Sequence, residues 1–161
     1  MAKQKDEKTN VMRLLQQKKI PFTAHSYPHE GEALDGVEVA RLLDQDPRRV
    51  FKTLVAQGAS RQHYVFDIPV AENLDLKKAA KAVGEKSIAM VHVKDLLALT
   101  GYVRGGCSPV GMKKAFPTVF HETALEFDSI MVSGGKIGTQ VQCDPRALME
   151  LSNATTADII V

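Results

Sequence analysis

The chain has 161 residues, of which 44% are hydrophobic and 25% are charged. A chain of this length can bury a core of its own, so the composition is typical of a globular protein and excludes a disordered or fibrous one. The formal net charge of +2 excludes a histone-like polycation, so any contact with nucleic acid would have to come from local clusters of basic residues.

Cysteine content and hydropathy indicate the cellular compartment of the protein. Cys107 and Cys143 are too few for a secreted disulfide scaffold, and we expect reduced thiols. The charged N-terminus (MAKQKDEKTN) precedes no apolar run, and nowhere do 18 apolar residues stand together, so we expect neither a signal peptide nor a membrane span. We predict a cytoplasmic protein with one domain over residues 1–161, in which residues 1–7 form a flexible N-terminal tail.

Patterns of apolar residues predict short helices and strands along the chain. Thr9 or Asn10 is the candidate N-cap of the first helix, and Gly84 is the expected end of the third. In chain order the predicted elements are a helix over residues 8–19, a strand over 22–27, a helix over 35–43, strands over 50–56 and 62–70 that form a hairpin, a helix over 74–83, a strand over 87–90, a helix over 92–99, strands over 118–120, 128–132 and 139–143, a helix over 145–151 and a last strand over 158–161. Many short strands mixed with helices, without strict βαβ alternation, predict an α+β fold with a curved, mixed sheet.

The segment densest in glycine is residues 100–111 (TGYVRGGCSPVG). It holds four glycines: Gly101, Gly105, Gly106 and Gly111. Glycine lets backbone N–H groups converge on an anion or a developing oxyanion, because no Cβ blocks the approach. A surface turn is the alternative, and it is the more common use of clustered glycine. Ser108 followed by Pro109 is typical of a helix start, which would direct further free amides to the same place.

A second glycine loop covers residues 132–138 (VSGGKIG) between two predicted strands. Lys136 is followed by Ile137 rather than by Ser or Thr, so the segment is not a phosphate-binding P-loop. By itself it predicts a hairpin turn.

Lys52 is the unusual residue of the strand VFKTLVA. Alternation places Lys52 on one face with Val50 and Leu54, so a charged side chain shares a face with apolar neighbours. The lysine could extend to the sheet edge, or it could be a fixed cation in a pocket that holds a phosphate or a polarised carbonyl.

The histidines and cysteines give weaker signals. His25 and His29 are four residues apart, but Pro28 prevents the helix that would stack them, and no further ligands complete a zinc set. We therefore expect no metal and no cofactor. Cys107 beside two glycines leaves open a Cys-His hydrolase with His121 or His25 as the base.

Together these segments resemble the YbaK/EbsC family, the free-standing bacterial aminoacyl-tRNA deacylases related to the editing domain of bacterial prolyl-tRNA synthetases. The resemblance runs from about Val11 to the end of the chain. Its motifs follow the family's order: the strand that ends in Tyr27-Pro28-His29, then VFKTL, LDLKKAAK, residues 100–111 and residues 132–138. It implies a single domain with a barrel-like mixed sheet flanked by helices.

The resemblance also implies site residues. Lys52 corresponds to the family's catalytic lysine near the terminal adenosine and the scissile ester. The expected substrate-binding residues are Tyr27, Thr53, Gly101, Gly105, Gly106, Ser108, Pro109, Ser133, Gly134, Gly135 and Gln140. Many relatives carry an aspartate where this chain has Gln140, which can keep a hydrogen bond but not a charge.

The implied reaction is hydrolysis of a wrong amino acid from tRNA(Pro), most typically cysteine, whose own thiol attacks the ester carbonyl and leaves as a thiolactone. The implied partners are the tRNA acceptor end and prolyl-tRNA synthetase, with no membrane and no DNA. Two alternatives stay open: a deacylase that uses water on another small amino acid such as alanine, and a non-catalytic module that binds tRNA or the synthetase.

Overall fold

Two β-sheets form the framework of the computed structural model, which describes residues 8–161. The strands are β1 (Thr23–Ser26), β2 (Phe51–Gly58), β3 (His63–Pro69), β4 (Ile88–Met90), β5 (Thr118–His121), β6 (Ile130–Ser133), β7 (Thr139–Cys143) and β8 (Thr155–Ala157). The three-stranded sheet has the order β1-β7-β6, and the five-stranded sheet has the order β4-β2-β3-β5-β8. Within the described residues, one bridge between Val50 and Met131 connects the two sheets.

The strand directions are mixed. The β3–β5 and β5–β8 pairs are parallel, whereas the other pairs are antiparallel. The predicted α+β fold with a mixed sheet is confirmed, although the two sheets do not close into a barrel. The predicted tail, residues 1–7, lies outside the described residues.

Local capping signals determine where the helices begin and end. Thr9 caps the first helix by accepting a hydrogen bond from the Met12 amide at 3.2 Å. Gly84 ends the third helix with a φ of +76°, as predicted. The helices are α1 (Asn10–Gln17), α2 (Gly36–Leu42), α3 (Leu76–Val83), α4 (Val93–Thr100) and α5 (Pro145–Ser152), with short 3-10 turns at Pro47–Arg49 and Glu122–Glu126. No helix within residues 8–161 has the length and hydropathy that crossing a bilayer requires.

The large sheet buries both of its faces. On one face Phe51 and Val55 of β2 pack in the main core, which also includes Leu15 of α1 and Leu148 of α5. On the other face Ala56 of β2 packs in a second cluster with the small residues of α3. Alternation along β2 therefore sends successive side chains into different cores, as the sequence predicts.

The predicted last strand over residues 158–161 is reduced to an isolated antiparallel bridge between Leu74 and Ile160, and the last regular strand precedes it. The strand is Thr155–Ala157, a largely exposed segment that lacks the apolar alternation of the other strands. Ile159 gives the apolar signal because it is fully buried. Its carbonyl accepts from the Asp75 amide as part of that bridge, and its amide donates to the His121 ring.

The predicted helix start at Ser108-Pro109 is wrong, because an irregular segment follows these residues. The chain turns instead at Gly111, whose φ is +78°. Tyr102 holds this turn by donating its hydroxyl to the Val110 carbonyl at 2.6 Å. No helical amides therefore point from this segment.

Candidate active site

A cavity of about 270 Å³ lies where the two sheets meet. Half of the predicted site residues line it, and they come from β2, β6, β7, the residue after β1 and the first glycine loop. These residues are Tyr27, Lys52, Thr53, Gly105, Ser133 and Gln140.

The cavity exists because part of β2 has no neighbouring strand on one side. β4 pairs with β2 only at Ala56, Gln57 and Gly58. The preceding part of β2, residues 51–54, lines the cavity instead. The hydrogen bonds of an antiparallel strand alternate between its two sides, so this stretch presents backbone groups as well as side chains to the cavity.

Lys52 lines the cavity from β2 as a half-buried cation. Burial lowers the pKa of its ammonium group, and the negative charges of Asp35 and Glu72 oppose that effect. The two carboxylates therefore favour the charged form of Lys52, whereas burial disfavours it. Asp35 itself lines the cavity at the start of α2, where its side chain makes no capping hydrogen bond.

Arg104 is a second cation at the cavity, which the sequence prediction missed. It lies in the first glycine loop, directly before Gly105, and is exposed. The sequence feature that could have identified it is a basic residue in the middle of the segment densest in glycine. A cavity lined by Lys52 and Arg104 is suited to anionic parts of a ligand, such as a phosphate or a developing oxyanion.

Thr53 connects the cavity wall to a buried acid. Its hydroxyl is hydrogen-bonded to Oδ1 of Asp67, with 2.5 Å between the two oxygens. Asp67 is fully buried, and its other oxygen, Oδ2, has no hydrogen-bond partner among the described residues. Burial raises the pKa of Asp67 to about 8, and the Thr53 hydrogen bond acts in the opposite direction. Sequence reasoning missed Asp67, although a lone acid inside the strand YVFDIPV was the available signal.

Ser133 and Gln140 face each other in the β6–β7 hairpin. Both are almost fully buried, and both line the cavity. Ser133 accepts a hydrogen bond from the Gly135 amide at 3.1 Å. The Oε1 atom of Gln140 is buried and has no partner within residues 8–161. This orphaned acceptor is available to a donor on a ligand, because a buried polar atom is costly when it stays unpaired.

The two glycine loops pack against each other behind the cavity. A Cβ on Gly106 would lie 2.8 Å from the Cα of Lys136, closer than real Cβ contacts allow. The Gly106 amide donates to Val103, and the Gly134 amide donates to Thr139. These two amides are used inside the loops and are therefore not free donors.

The other half of the predicted site residues does not line the cavity. Gly101 ends α4 with a φ of +85°, and its amide donates to the Leu97 carbonyl. The remaining members of this half lie in the glycine-rich segments: Gly106, Ser108, Pro109, Gly134 and Gly135. Their role in substrate binding stays a prediction, and the contacts found here are structural.

Cys107 lines the cavity but is 7% exposed. Burial and the nearby Asp67 raise the pKa of its thiol to about 12, so the thiol is neutral at pH 7. The two candidate bases are occupied elsewhere: His121 accepts from the Ile159 amide, and His25 is hydrogen-bonded to Gln142. The geometry therefore gives no support to a Cys-His hydrolase.

Comparisons with known proteins agree with this geometry. The sequence profile of the aminoacyl-tRNA editing domain matches residues 31–151. A protein of Enterococcus faecalis named as a Cys-tRNA(Pro)/Cys-tRNA(Cys) deacylase, EbsC, is 46% identical over 160 residues, which cover 99% of this chain and 98% of the relative.

Solved structures share the fold. A crystal structure described as a trans-editing enzyme for prolyl-tRNA synthetase matches with a TM-score of 0.80 and 23% identity, covering 96% of this chain and 99% of that one. The hypothetical protein APE2540 matches with a TM-score of 0.85 and 21% identity, covering 95% and 100%. The resemblance to the YbaK/EbsC deacylases is thus confirmed, and the chain belongs to the aminoacyl-tRNA editing domain family.

Proposed function

We propose that this protein deacylates mischarged tRNA(Pro) and that Cys-tRNA(Pro) is its preferred substrate. The observation that carries the proposal is Lys52, a half-buried cation in a cavity whose single thiol, Cys107, is neutral. The name and 46% identity of the E. faecalis relative support the same substrate class. A site with a fixed cation and no ionised nucleophile is suited to a reaction in which the substrate supplies the nucleophile.

In the proposed reaction the thiol of the bound cysteinyl group attacks its own ester carbonyl. A carbon–sulfur bond forms and the carbon–oxygen bond to the terminal ribose breaks. The thiol proton ends on the ribose oxygen, so the products are tRNA and a thiolactone, which water then opens. The protein contributes orientation and charge stabilisation rather than a covalent intermediate.

Lys52 has the central role in this scheme. Its ammonium group stabilises the negative charge that develops on the carbonyl oxygen, or holds the terminal adenosine next to the ester. Tyr27 lines the same cavity, and Gln140 offers Oε1 to the substrate ammonium or a ribose hydroxyl. Many relatives have an aspartate at this position, so Gln140 would offer the substrate a neutral acceptor in place of a charged one.

Prolyl-tRNA synthetase is the proposed partner that selects the tRNA. The chain carries 21 basic and 19 acidic residues, which favours weak, sequence-indifferent contact with an acceptor end. We expect the synthetase to increase discrimination among tRNA species while the protein alone recognises the aminoacyl group.

The test is single-turnover deacylation of tRNA(Pro) charged with cysteine, alanine or S-methylcysteine, with and without the synthetase. Rapid loss of cysteine together with resistance of S-methylcysteine supports the thiolactone route, because that route requires a free thiol. Equal rates for alanine and S-methylcysteine would instead indicate attack by water. Saturable, salt-sensitive binding of tRNA without turnover would overturn the enzymatic proposal in favour of a binding module.

A further inference from the structure

The Asp67 carboxyl lies on the strand next to β2 in the same sheet and has no part in the reaction described above. It occupies β3 directly opposite Thr53 of β2. Its Oδ1 atom contacts the Thr53 hydroxyl at 2.5 Å, and its buried Oδ2 atom has no partner among the described residues. Thr53 lines the cavity, so a single hydroxyl separates the buried acid from a bound substrate.

Few groups around Asp67 favour the ionised form of its carboxyl. Among residues 8–161, no cation contributes to its pKa, which burial raises to about 8. The charge of Asp67 raises the pKa of Cys107, which lies in the first glycine loop (residues 100–111). The charge of Cys107 in turn raises the pKa of Tyr102. On the β5 side the residue opposite Asp67 is the apolar Phe120, and Lys52 belongs to the other face of β2. The carboxyl is therefore neutral at pH 7.

The charge of Asp67 determines what Thr53 can offer to a ligand. A protonated carboxyl can donate to the Thr53 oxygen, which leaves the hydroxyl hydrogen free to point into the cavity. An ionised carboxylate only accepts, so Thr53 must donate to it and can present only lone pairs to the cavity. One proton on Asp67 thus changes Thr53 from an acceptor to a donor on the substrate side.

We propose that Asp67 is a positioning residue that, through its hydrogen bond, directs the Thr53 hydroxyl to donate to the carbonyl oxygen of the bound aminoacyl ester. The use of the Gly106 and Gly134 amides inside their loops supports this role, because those amides cannot serve the same oxygen. This inference rests on the proposed deacylase function.

The test compares Asp67→Asn with the wild type in single-turnover deacylation of Cys-tRNA(Pro) from pH 6 to 9.5, after subtraction of spontaneous hydrolysis. The asparagine amide can donate to Thr53 but cannot ionise. We expect the ratio of the variant rate to the wild-type rate to rise about tenfold with a midpoint near pH 8, the effect of losing one hydrogen bond in the wild type. The ratio cancels the titrations of Lys52 and of the substrate thiol, which both proteins share.

Two further variants separate positioning from a structural effect. Thr53→Val removes the hydroxyl, so adding Asp67→Asn to it should change neither the rate nor its pH dependence. Thr118→Val alters another buried threonine, whose hydroxyl donates to Phe116, and should leave the pH profile of the wild type intact. A flat ratio in an active enzyme overturns the role of Asp67. An inactive wild-type protein overturns the proposed function itself, and this role with it.

Discussion

Gly106 and Lys136 are in backbone contact, so the two glycine-rich loops form a single layer behind the cavity. A Cβ on Gly106 would lie 2.8 Å from the Lys136 Cα and 3.0 Å from the Ile137 nitrogen. Both obstacles are backbone atoms, which cannot move aside as a flexible side chain can. Gly105 and Ser133, one from each loop, line the cavity. The distance between the loops therefore influences the shape of the site.

We predict that Gly106→Ala separates the loops and lowers both stability and activity. Overpacking of this kind costs about 1–3 kcal/mol in the free energy of unfolding. Urea denaturation measures the loss of stability, and single-turnover deacylation measures the loss of activity.

Gly31→Ala is the matched control for this prediction. Gly31 has a φ of +84°, but a Cβ there would meet no atom within 4 Å. Backbone strain alone should cost about 1 kcal/mol, with activity preserved. An equal loss of activity in both variants would contradict the packing argument.

Lys52 supplies the second prediction. Lys52→Ala should lower kcat by about a hundredfold or more, because one preorganised charge at an oxyanion is worth that much. The folded state should not be weakened, since burial already lowers the pKa of this ammonium group and thus disfavours its charge. Kinetics and thermal unfolding of the same sample measure the two effects.

Lys77→Ala, on the exposed side of α3, is the control for this prediction. It should leave both kcat and the unfolding temperature close to those of the wild type. A fully active Lys52→Ala protein would remove Lys52 from the proposed mechanism.

The fold was predictable wherever a local signal coincided with burial. Thr9 and Gly84 mark helix ends through their own side-chain or backbone chemistry, so both were identified from sequence. The Thr155–Ala157 strand was not, because its polar residues are held by parallel pairing with β5 rather than by burial. Which apolar segment joins a sheet depends on distant partners that no short window of sequence contains.

The site was predictable to a similar degree. Lys52 stood out because alternation placed a charge among apolar neighbours. Asp67 met the same criterion, since its neighbours in YVFDIPV are largely apolar, but the sequence prediction did not single it out. Arg104 could not be placed, because its position depends on how a loop folds against α2 and β2. Gly106 was expected to expose its amide to a ligand. In the structure its amide donates to Val103, and its missing Cβ allows the two loops to come into contact.

Cys107 supplies the third prediction, that the protein's thiol is dispensable. Cys107→Ala should retain most of the deacylase activity and lose about 1 kcal/mol of stability, as is usual for trimming a buried side chain. Iodoacetamide should react slowly with the wild type at pH 7.5, because the pKa of this thiol is about 12. Rapid alkylation that abolishes turnover would show that Cys107 acts as a nucleophile.

Gln140 supplies the fourth prediction. Gln140→Asp should lower KM for Cys-tRNA(Pro), because a carboxylate would attract the substrate ammonium more strongly than the neutral amide oxygen does. Gln140→Leu should raise KM, since it removes the orphaned acceptor. Gln142→Leu is the control on the same strand, where the side chain contacts His25 and Ser129 instead of the cavity. Unchanged KM in both Gln140 variants would exclude contact with the substrate.

The last prediction concerns stability and the charge of Asp67. Its pKa is about 8 in the folded protein and about 3.9 in an unfolded chain. Between these values the folded state binds one more proton than the unfolded state. The contribution of Asp67 to stability is therefore fully present below pH 4 and is lost as the pH rises to about 8.

Asp67→Asn isolates this contribution, because the variant has no proton to lose. The free energy of unfolding of the variant minus that of the wild type should rise from pH 4 to pH 8 and then stay constant. Carboxylates with lowered pKa values, such as Asp46 and Glu85, are common to both proteins and cancel in the difference. Urea denaturation at each pH unit provides the measurement. A difference that does not vary with pH would mean that Asp67 is ionised in the folded protein, and Thr53 could then only donate to it.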